Sequence, residues 1–186
     1  AHIESSFVSP KEYYKVTLKH GITSIITDTH EIANVLGAKG IKLMLELMKD
    51  IPFDMYVMLP SCVPATAFED SGATLKASDL NPLYRYEKVI GLAEVMNYPA
   101  VLNGDEDMLQ KLLDATEKGY RIDGHGAGFD LNQLNAYLTA GIITDHECHE
   151  ADEVIERLRR GMYVLMREGS AAKNLKDLIS VASISN

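Results

Sequence analysis

Short apolar segments rich in β-branched residues recur along the chain, and several of them end directly in a histidine or a carboxylate. Helix-like segments follow these runs, and a glycine closes most of the helices. When strands alternate with helices in this way, the sheet is parallel and is either closed into a barrel or doubly wound. The pattern therefore predicts an α/β fold whose functional groups gather at the carboxyl ends of the strands.

The boundaries of these elements follow from the same pattern. We predict strands at residues 22–27, 54–59, 89–93, 121–123, 142–144 and 162–166. We predict helices at residues 11–20, 31–50, 106–118, 131–140, 151–160 and 171–178, with the second weakened by Gly37 and Gly40. Residues 65–86 are polar and lack periodicity, so we expect an irregular excursion that covers a site. The spacing of the strand ends is compatible with the roughly 30 residues per unit of an eight-stranded (β/α) barrel.

Composition narrows the class of partners. The 186 residues carry a formal net charge of −9, which argues against binding to nucleic acid or to an anionic membrane surface. No apolar run approaches the roughly 18 residues that span a bilayer. Cys62 and Cys148 are two lone cysteines, and no signal-like segment stands at the N-terminus, so we expect a reducing, cytoplasmic location.

Histidines next to glycines or carboxylates are the first candidates for chemistry. Glycines flank His125, so its side chain can enter a pocket, although the same pattern fits an incidental histidine in a glycine-rich turn. His146 can supply a neutral nitrogen to a divalent metal, and the adjacent Glu147 can move protons. Because His146 and His149 are three residues apart, they do not form the zinc-binding helix motif with histidines four apart. We interpret Cys148 as buried and His149 as the start of a helix.

Two further strand ends carry polar side chains. Glu94 ends an apolar strand and either bridges metal ions or pairs with Arg85 or Lys88. Asp28 and His30 fit a site near the sheet edge, and equally fit a helix N-cap followed by a helix-start histidine. The residues alone thus predict a barrel-like, metal-dependent hydrolase and identify no substrate.

Seven sequence blocks identify a known family. They occupy residues 2–6, 27–34, 59–64, 91–97, 123–126, 144–148 and 166–170. In these blocks, and over essentially its whole length, the chain resembles the microbial adenine deaminases of the amidohydrolase superfamily. The blocks at 28–34 and 145–148 separate adenine deaminases from dihydroorotases, ureases and cytosine deaminases.

The resemblance implies a fold and a metal centre. The expected fold is a partial (β/α)₈ barrel of the metal-dependent amidohydrolase type, with about strands 2 to 7 present in a single truncated catalytic domain at residues 1–186. The expected cofactor is a binuclear divalent metal, either manganese, iron or zinc. The residues that match the metal ligands are His2, Glu94, His125 and His146. Glu147 matches the proton shuttle, and Asp28 and His30 match a catalytic pair near the substrate.

The resemblance also implies an activity. The parent enzymes convert adenine and water to hypoxanthine and ammonia in purine salvage, by attack of metal-activated hydroxide at C6. Two alternatives stay open: another amidohydrolase that acts on a cyclic amide or amidine, and a non-catalytic partial barrel. The chain has no initiator Met and lacks the first histidine of the strand-one pair and the strand-eight aspartate. We therefore expect a fragment that is inactive by itself and that forms a homo-oligomer through its open sheet edges.

Overall fold

The computed structural model describes residues 1–183 of the chain. The strands are β1 Ser24–Asp28, β2 Asp54–Pro60, β3 Val89–Val95, β4 Arg121–Gly124, β5 Thr144–Asp145 and β6 Tyr163–Val164. The helices are α1 Pro10–Thr17, α2 His30–Leu36, α3 Ala38–Leu47, α4 Ala77–Leu80, α5 Tyr98–Leu102, α6 Glu106–Glu117, α7 Leu131–Thr139, α8 Ala151–Leu158 and α9 Leu175–Leu178. Short 3₁₀ helices occupy Glu4–Ser6, Leu18–His20, Asn81–Arg85 and Ile179–Ser183.

The strands form two parallel sheets in chain order. Strands β1 to β4 lie side by side in one sheet, and β5 pairs with β6 in the other. Every pairing between neighbouring strands is parallel. Helical segments connect consecutive strands, as parallel pairing requires. This arrangement confirms the predicted α/β class and is that of part of a (β/α)₈ barrel.

The first residues of the chain extend this sheet on the far side of β1. The amino group of Ala1 donates to the carbonyl of Ile26 at 3.0 Å, and the amide of Asp28 donates to the carbonyl of Ala1 at 2.9 Å. These two bonds place His2 beside the carboxyl end of β1.

Apolar side chains on the strands form the core. Val57, Leu59 and Leu92 are fully buried beneath the helices, as the uninterrupted apolar runs of a parallel sheet require. A smaller cluster of Cys148, Val154, Leu178 and Val181 packs between α8 and the C-terminal segment. Among the residues described, no helix is long and apolar enough to cross a membrane.

A glycine marks the break in the second predicted helix, whereas the sequence analysis did not predict the short helix α5 from its N-cap. Gly37, with φ of +59°, divides the predicted helix at 31–50 into α2 and α3. The unpredicted α5 begins at an N-cap, Asn97, whose side chain accepts from the amide of Ala100, and Pro99 lies in its first turn.

Three further predictions need correction. The predicted helix at 171–178 is reduced to α9, and the last two strands have only two residues each. The excursion at 65–86 contains α4 and a 3₁₀ helix. Its first part borders a cavity of about 730 Å³ against α6, and no predicted site residue lines this cavity.

Candidate metal centre

Four predicted ligands meet at the carboxyl ends of the strands. His2 lies beside β1, Glu94 lies on β3, and His125 and His146 directly follow β4 and β5. Oε1 of Glu94 is 3.0 Å from Nε2 of His2 and 3.6 Å from Nε2 of His146. Oε2 of Glu94 is 3.6 Å from Nδ1 of His125. The Glu94 carboxylate therefore lies at the centre of three imidazoles.

A backbone irregularity orients Glu94. The register between β3 and β4 shifts between Leu92 and Val95, and Glu94 has φ of +25°, which is rare for a residue with a side chain. The hydroxyl of Ser61 donates to the carbonyl of Glu94 at 2.8 Å and holds this conformation. Bulges next to functional sites commonly re-aim one side chain, and strain persists where the surroundings fix it. The sequence carries no signal of this bulge.

The electrostatics of this cluster favour the charged form of the Glu94 carboxylate. Burial by itself would raise the pKa of Glu94, but the nearby His125 ring, the hydrogen bond from His2 and the charge of His146 outweigh burial. The result is a pKa of Glu94 far below its usual range. The hydrogen bond to Glu94 in turn raises the pKa of His2.

The donor set fits a divalent cation. One ligand atom from each of Glu94, His125 and His146 lies within 4.8 Å of the others, and the same holds for His2, Asp28 and Glu94. Nδ1 of His2 and Nδ1 of His125 are buried and have no hydrogen-bond partner. Coordination of a cation would satisfy a buried nitrogen of this kind. Imidazole and carboxylate donors without thiolate suit manganese, iron or zinc.

Asp28 and His30 lie beside this cluster. Nδ1 of His30 is 2.9 Å from Oδ2 of Asp28, and the His30 ring meets the His2 ring edge-on at 4.7 Å. The hydrogen bond to Asp28 raises the pKa of His30. The N-cap of α2 is Thr29, so the interpretation of Asp28 as N-cap is wrong.

Arg85 and Lys88, the alternative partners for Glu94, contact other residues instead. Lys88 pairs with Asp54 at 3.2 Å, and the guanidinium of Arg85 lies over the ring of Tyr86. Cys148 is buried, and burial raises its pKa to about 12, so it is a thiol rather than a thiolate ligand.

Glu147 lies next to two of the histidines. Its Oε1 atom is 3.5 Å from Nε2 of His146 and 3.7 Å from Nδ1 of His125. Both of its oxygens also accept hydrogen bonds from Arg167, a residue to which the sequence pattern assigned no role.

A buried ion pair that the sequence did not predict connects the loop that carries His125 with the loop that carries His146. Oδ1 of Asp145 accepts from the amides of Gly126 and Glu147, both at 3.0 Å, and Oδ2 accepts from Nε of Arg157. The guanidinium also donates to the carbonyl of Gly126. Arg157 is in phase with the apolar residue Val154 on α8, which was the available signal that it faces inward.

Two more side chains support the histidines. The hydroxyl of Tyr137 donates to the carbonyl of Val95 at 2.7 Å and accepts from the amide of His125 at 2.9 Å. Oδ2 of Asp123 lies 3.9 Å from Nδ1 of His146, on the side of the ring opposite the Nε2 atom near Glu94. Carboxylates in this relation to a metal-binding histidine commonly fix the orientation of its ring.

The chain is similar to known proteins over its whole length. The family model for the amidohydrolase family matches residues 1–185. The chain is 58% identical over 178 residues to the adenine deaminase of Lysinibacillus sphaericus, which covers 96% of this chain. It is 55% identical over 185 residues to the adenine deaminases of Listeria innocua and Bacillus velezensis, which cover 100% of it. The chain spans about a third of the length of these relatives, 31% of the first and 32% of the other two.

Proposed function

The chain belongs to the amidohydrolase family, and from that membership we propose that the protein that carries it is a metal-dependent adenine deaminase. The reaction converts adenine and water to hypoxanthine and ammonia. The observation that carries this proposal is 55% to 58% identity to adenine deaminases over 96% to 100% of the chain. The geometry of the histidine cluster gives independent support for a hydrolytic metal centre.

We assign the metal to His2, Glu94, His125 and His146. Glu94 would hold metal together with all three histidines, because its Oε1 lies near His2 and His146 and its Oε2 lies near His125. A divalent metal, when bound, supplies Lewis acidity that brings the pKa of water towards neutrality. Manganese, iron and zinc all suit this donor set.

Glu147 would carry the proton transfers. In the reaction a C6–O bond forms, the C6–N bond breaks, and the amino group leaves as ammonia. Water therefore loses two protons, one of which must reach N1 of the purine and the other the departing nitrogen. Glu147 is the buried carboxylate next to His125 and His146, within reach of the place where water and purine would meet.

The pair Asp28 and His30 would hold the purine. Nδ1 of His30 donates a hydrogen bond to Asp28, which fixes the ring and leaves Nε2 available for substrate. Because Asp28 raises the pKa of His30, the ring retains a proton to a higher pH and can donate a hydrogen bond to a purine nitrogen.

An assay of adenine conversion with added Mn²⁺ tests this proposal in the protein that carries the chain. In Glu147→Gln we expect a loss of turnover of about 10²–10⁴-fold, because the amide cannot accept the proton, and nearly unchanged metal content. The matched control is Glu46→Gln, at an exposed residue paired with Lys49, which should retain full activity.

Two outcomes would contradict the assignment. Near-normal turnover of Glu147→Gln would transfer the proton role to Asp28 or His30. A metal-loaded wild-type protein that leaves adenine unchanged but hydrolyses a cyclic amide or amidine would refute adenine as the substrate.

A further inference from the structure

Arg167 makes a two-pronged contact with Glu147. Its Nη1 donates to Oε1, and its Nη2 donates to Oε2 at 2.9 Å. Such fork-to-fork pairing fixes the plane of the carboxylate as well as neutralising its charge. The Glu147 side chain is 10% exposed and that of Arg167 is 29% exposed, so the contact is shielded on the Glu147 side.

The position of Glu147 is that of a metal ligand. Atoms that bind one tetrahedral metal at about 2.1 Å are about 3.4 Å from each other. Oε1 of Glu147 lies 3.5 Å and 3.7 Å from the nearest nitrogens of His146 and His125. The oxygens of Glu94 lie at 3.6 Å from the same two nitrogens. Distance therefore does not distinguish the two carboxylates.

The contacts of the Glu94 and Glu147 carboxylates distinguish the two residues. The side-chain oxygens of Glu94 face histidines, whereas both oxygens of Glu147 are engaged by one guanidinium. A carboxylate whose charge is already balanced attracts a metal cation less strongly. The guanidinium also fixes the plane of the carboxylate and occupies one lone pair on each oxygen, so the carboxylate is less able to turn towards the cation.

The segment after β6 presents Arg167 in this orientation. Its Nε donates to Oδ1 of Asn174 at 3.2 Å, so a second contact holds the guanidinium. Between these residues the chain forms a tight turn, in which an antiparallel bridge joins Glu168 to Lys173 and the amide of Gly169 donates to the carbonyl of Ala172 at 2.8 Å. This turn lies at the carboxyl end of the next strand, where barrel enzymes place functional side chains.

We propose that Arg167 is a positioning residue that keeps the Glu147 carboxylate out of the metal coordination shell and thereby leaves it free to transfer protons. This role deepens the proposed function and rests on it for the proton transfer. The part that concerns metal binding depends only on the histidine cluster.

A double-mutant cycle tests the proposal in the metal-free protein. Co²⁺ is titrated into wild type, Arg167→Met, Glu147→Gln and the double variant, and its visible absorption reports both affinity and ligand set. We expect Arg167→Met to bind Co²⁺ on the order of tenfold more tightly, equivalent to about 1.4 kcal/mol, with an altered absorption spectrum, because Glu147 becomes a ligand. The double variant should bind as Glu147→Gln does.

Turnover and controls complete the experiment. Arg167→Met should lose about 10–100-fold in kcat for adenine with little change in KM, and Arg167→Lys should regain part of it without the two-pronged contact. Arg159→Met removes the same charge from a side chain that is 69% exposed and should alter neither property. Circular dichroism of each variant verifies folding.

Three results would overturn the inference: an equal rise in affinity with and without Glu147, no rise at all in a folded Arg167→Met, or an unchanged kcat in an active enzyme. The first would mean that removal of charge alone strengthens binding. A Glu147-dependent rise in a protein that does not deaminate adenine would support the positioning role and contradict the proposed substrate, so the two failures are distinguishable.

Discussion

Replacement of Arg157 by methionine is expected to destabilise the fold and loosen the metal centre together. The exposed fraction of the Arg157 side chain is 3% and that of Asp145 is 0%, so the variant leaves a carboxylate buried without its counter-charge. Breaking a buried pair in this way typically lowers the free energy of unfolding by about 3–5 kcal/mol. At about 2–4 °C per kcal/mol for a chain of this size, Tm should fall on the order of 6–20 °C.

The same substitution should weaken metal binding. Asp145 holds the amides of Gly126 and Glu147, which are the neighbours of His125 and His146. If Asp145 shifts, both histidine loops shift with it. Loss of such a supporting contact commonly costs about 10–100-fold in metal affinity.

The effect on stability should depend on pH in a definite direction. Burial by itself would raise the pKa of Asp145, but the Gly126 amide and Arg157 outweigh burial and hold this pKa below its usual value. A depressed folded-state pKa contributes stability that is present above the unfolded value of about 3.9 and is lost as the pH falls below it. The stability difference between wild type and Arg157→Met should therefore be full at pH 7 and shrink below about pH 4.

Urea denaturation followed by circular dichroism, with and without Mn²⁺, measures these quantities. The control is Arg159→Met, whose side chain is 69% exposed and pairs with Glu156; its loss should cost well under 1 kcal/mol. A loss below about 1 kcal/mol in Arg157→Met, or a stability difference that grows towards acid, would refute the reasoning.

Two further expectations concern single contacts. Tyr137→Phe should lower the free energy of unfolding by about 1–3 kcal/mol, because a buried carbonyl and a buried amide lose their shared partner. Thermal denaturation measures this loss, with the exposed Tyr163→Phe as the control. An unchanged Tm in Tyr137→Phe would contradict the prediction. Affinity for Mn²⁺ should fall as the pH decreases from 8 towards 6, because protons compete with the metal for His2. Glu94 raises the pKa of His2, so this competition begins at a higher pH than for a free histidine. Calorimetry in buffers of different ionisation enthalpy would detect the released protons, and a pH-independent affinity would argue against His2 as a ligand.

Three of the clustered residues share a local signal in the sequence. Glu94 lies near the end of an apolar strand, and His125 and His146 directly follow the next two strands, so parallel strand order brings all three towards the carboxyl ends of the strands. The glycine at position 37 likewise predicts a helix break at the residue where one occurs. Periodicity and chain punctuation are therefore sufficient for most elements and for the location of the cluster.

The contacts that the sequence does not predict depend on geometry beyond the local pattern. The bulge at Glu94 arises from strand register, and no residue type near it announces a positive φ. Arg167 resembles a surface arginine in the sequence, and although Arg157 is in phase with Val154 on α8, only the fold reveals which carboxylate each arginine meets. Long-range pairing of this kind needs the positions of elements that are 12 and 20 residues apart along the chain.

The dispersal of the metal donors along the chain has a consequence for folding. His2 and Glu94 are 92 residues apart, so a cation held by both would act as a reversible cross-link that closes a very long loop. In the chain-entropy description of cross-links, closing a loop of about 100 residues removes on the order of 4.7 kcal/mol of unfolded-state freedom at room temperature. A local zinc finger closes only a short loop by comparison. Here a bound cation would link the start of the chain to the third strand of the sheet, and the free energy of unfolding would rise with the concentration of free metal.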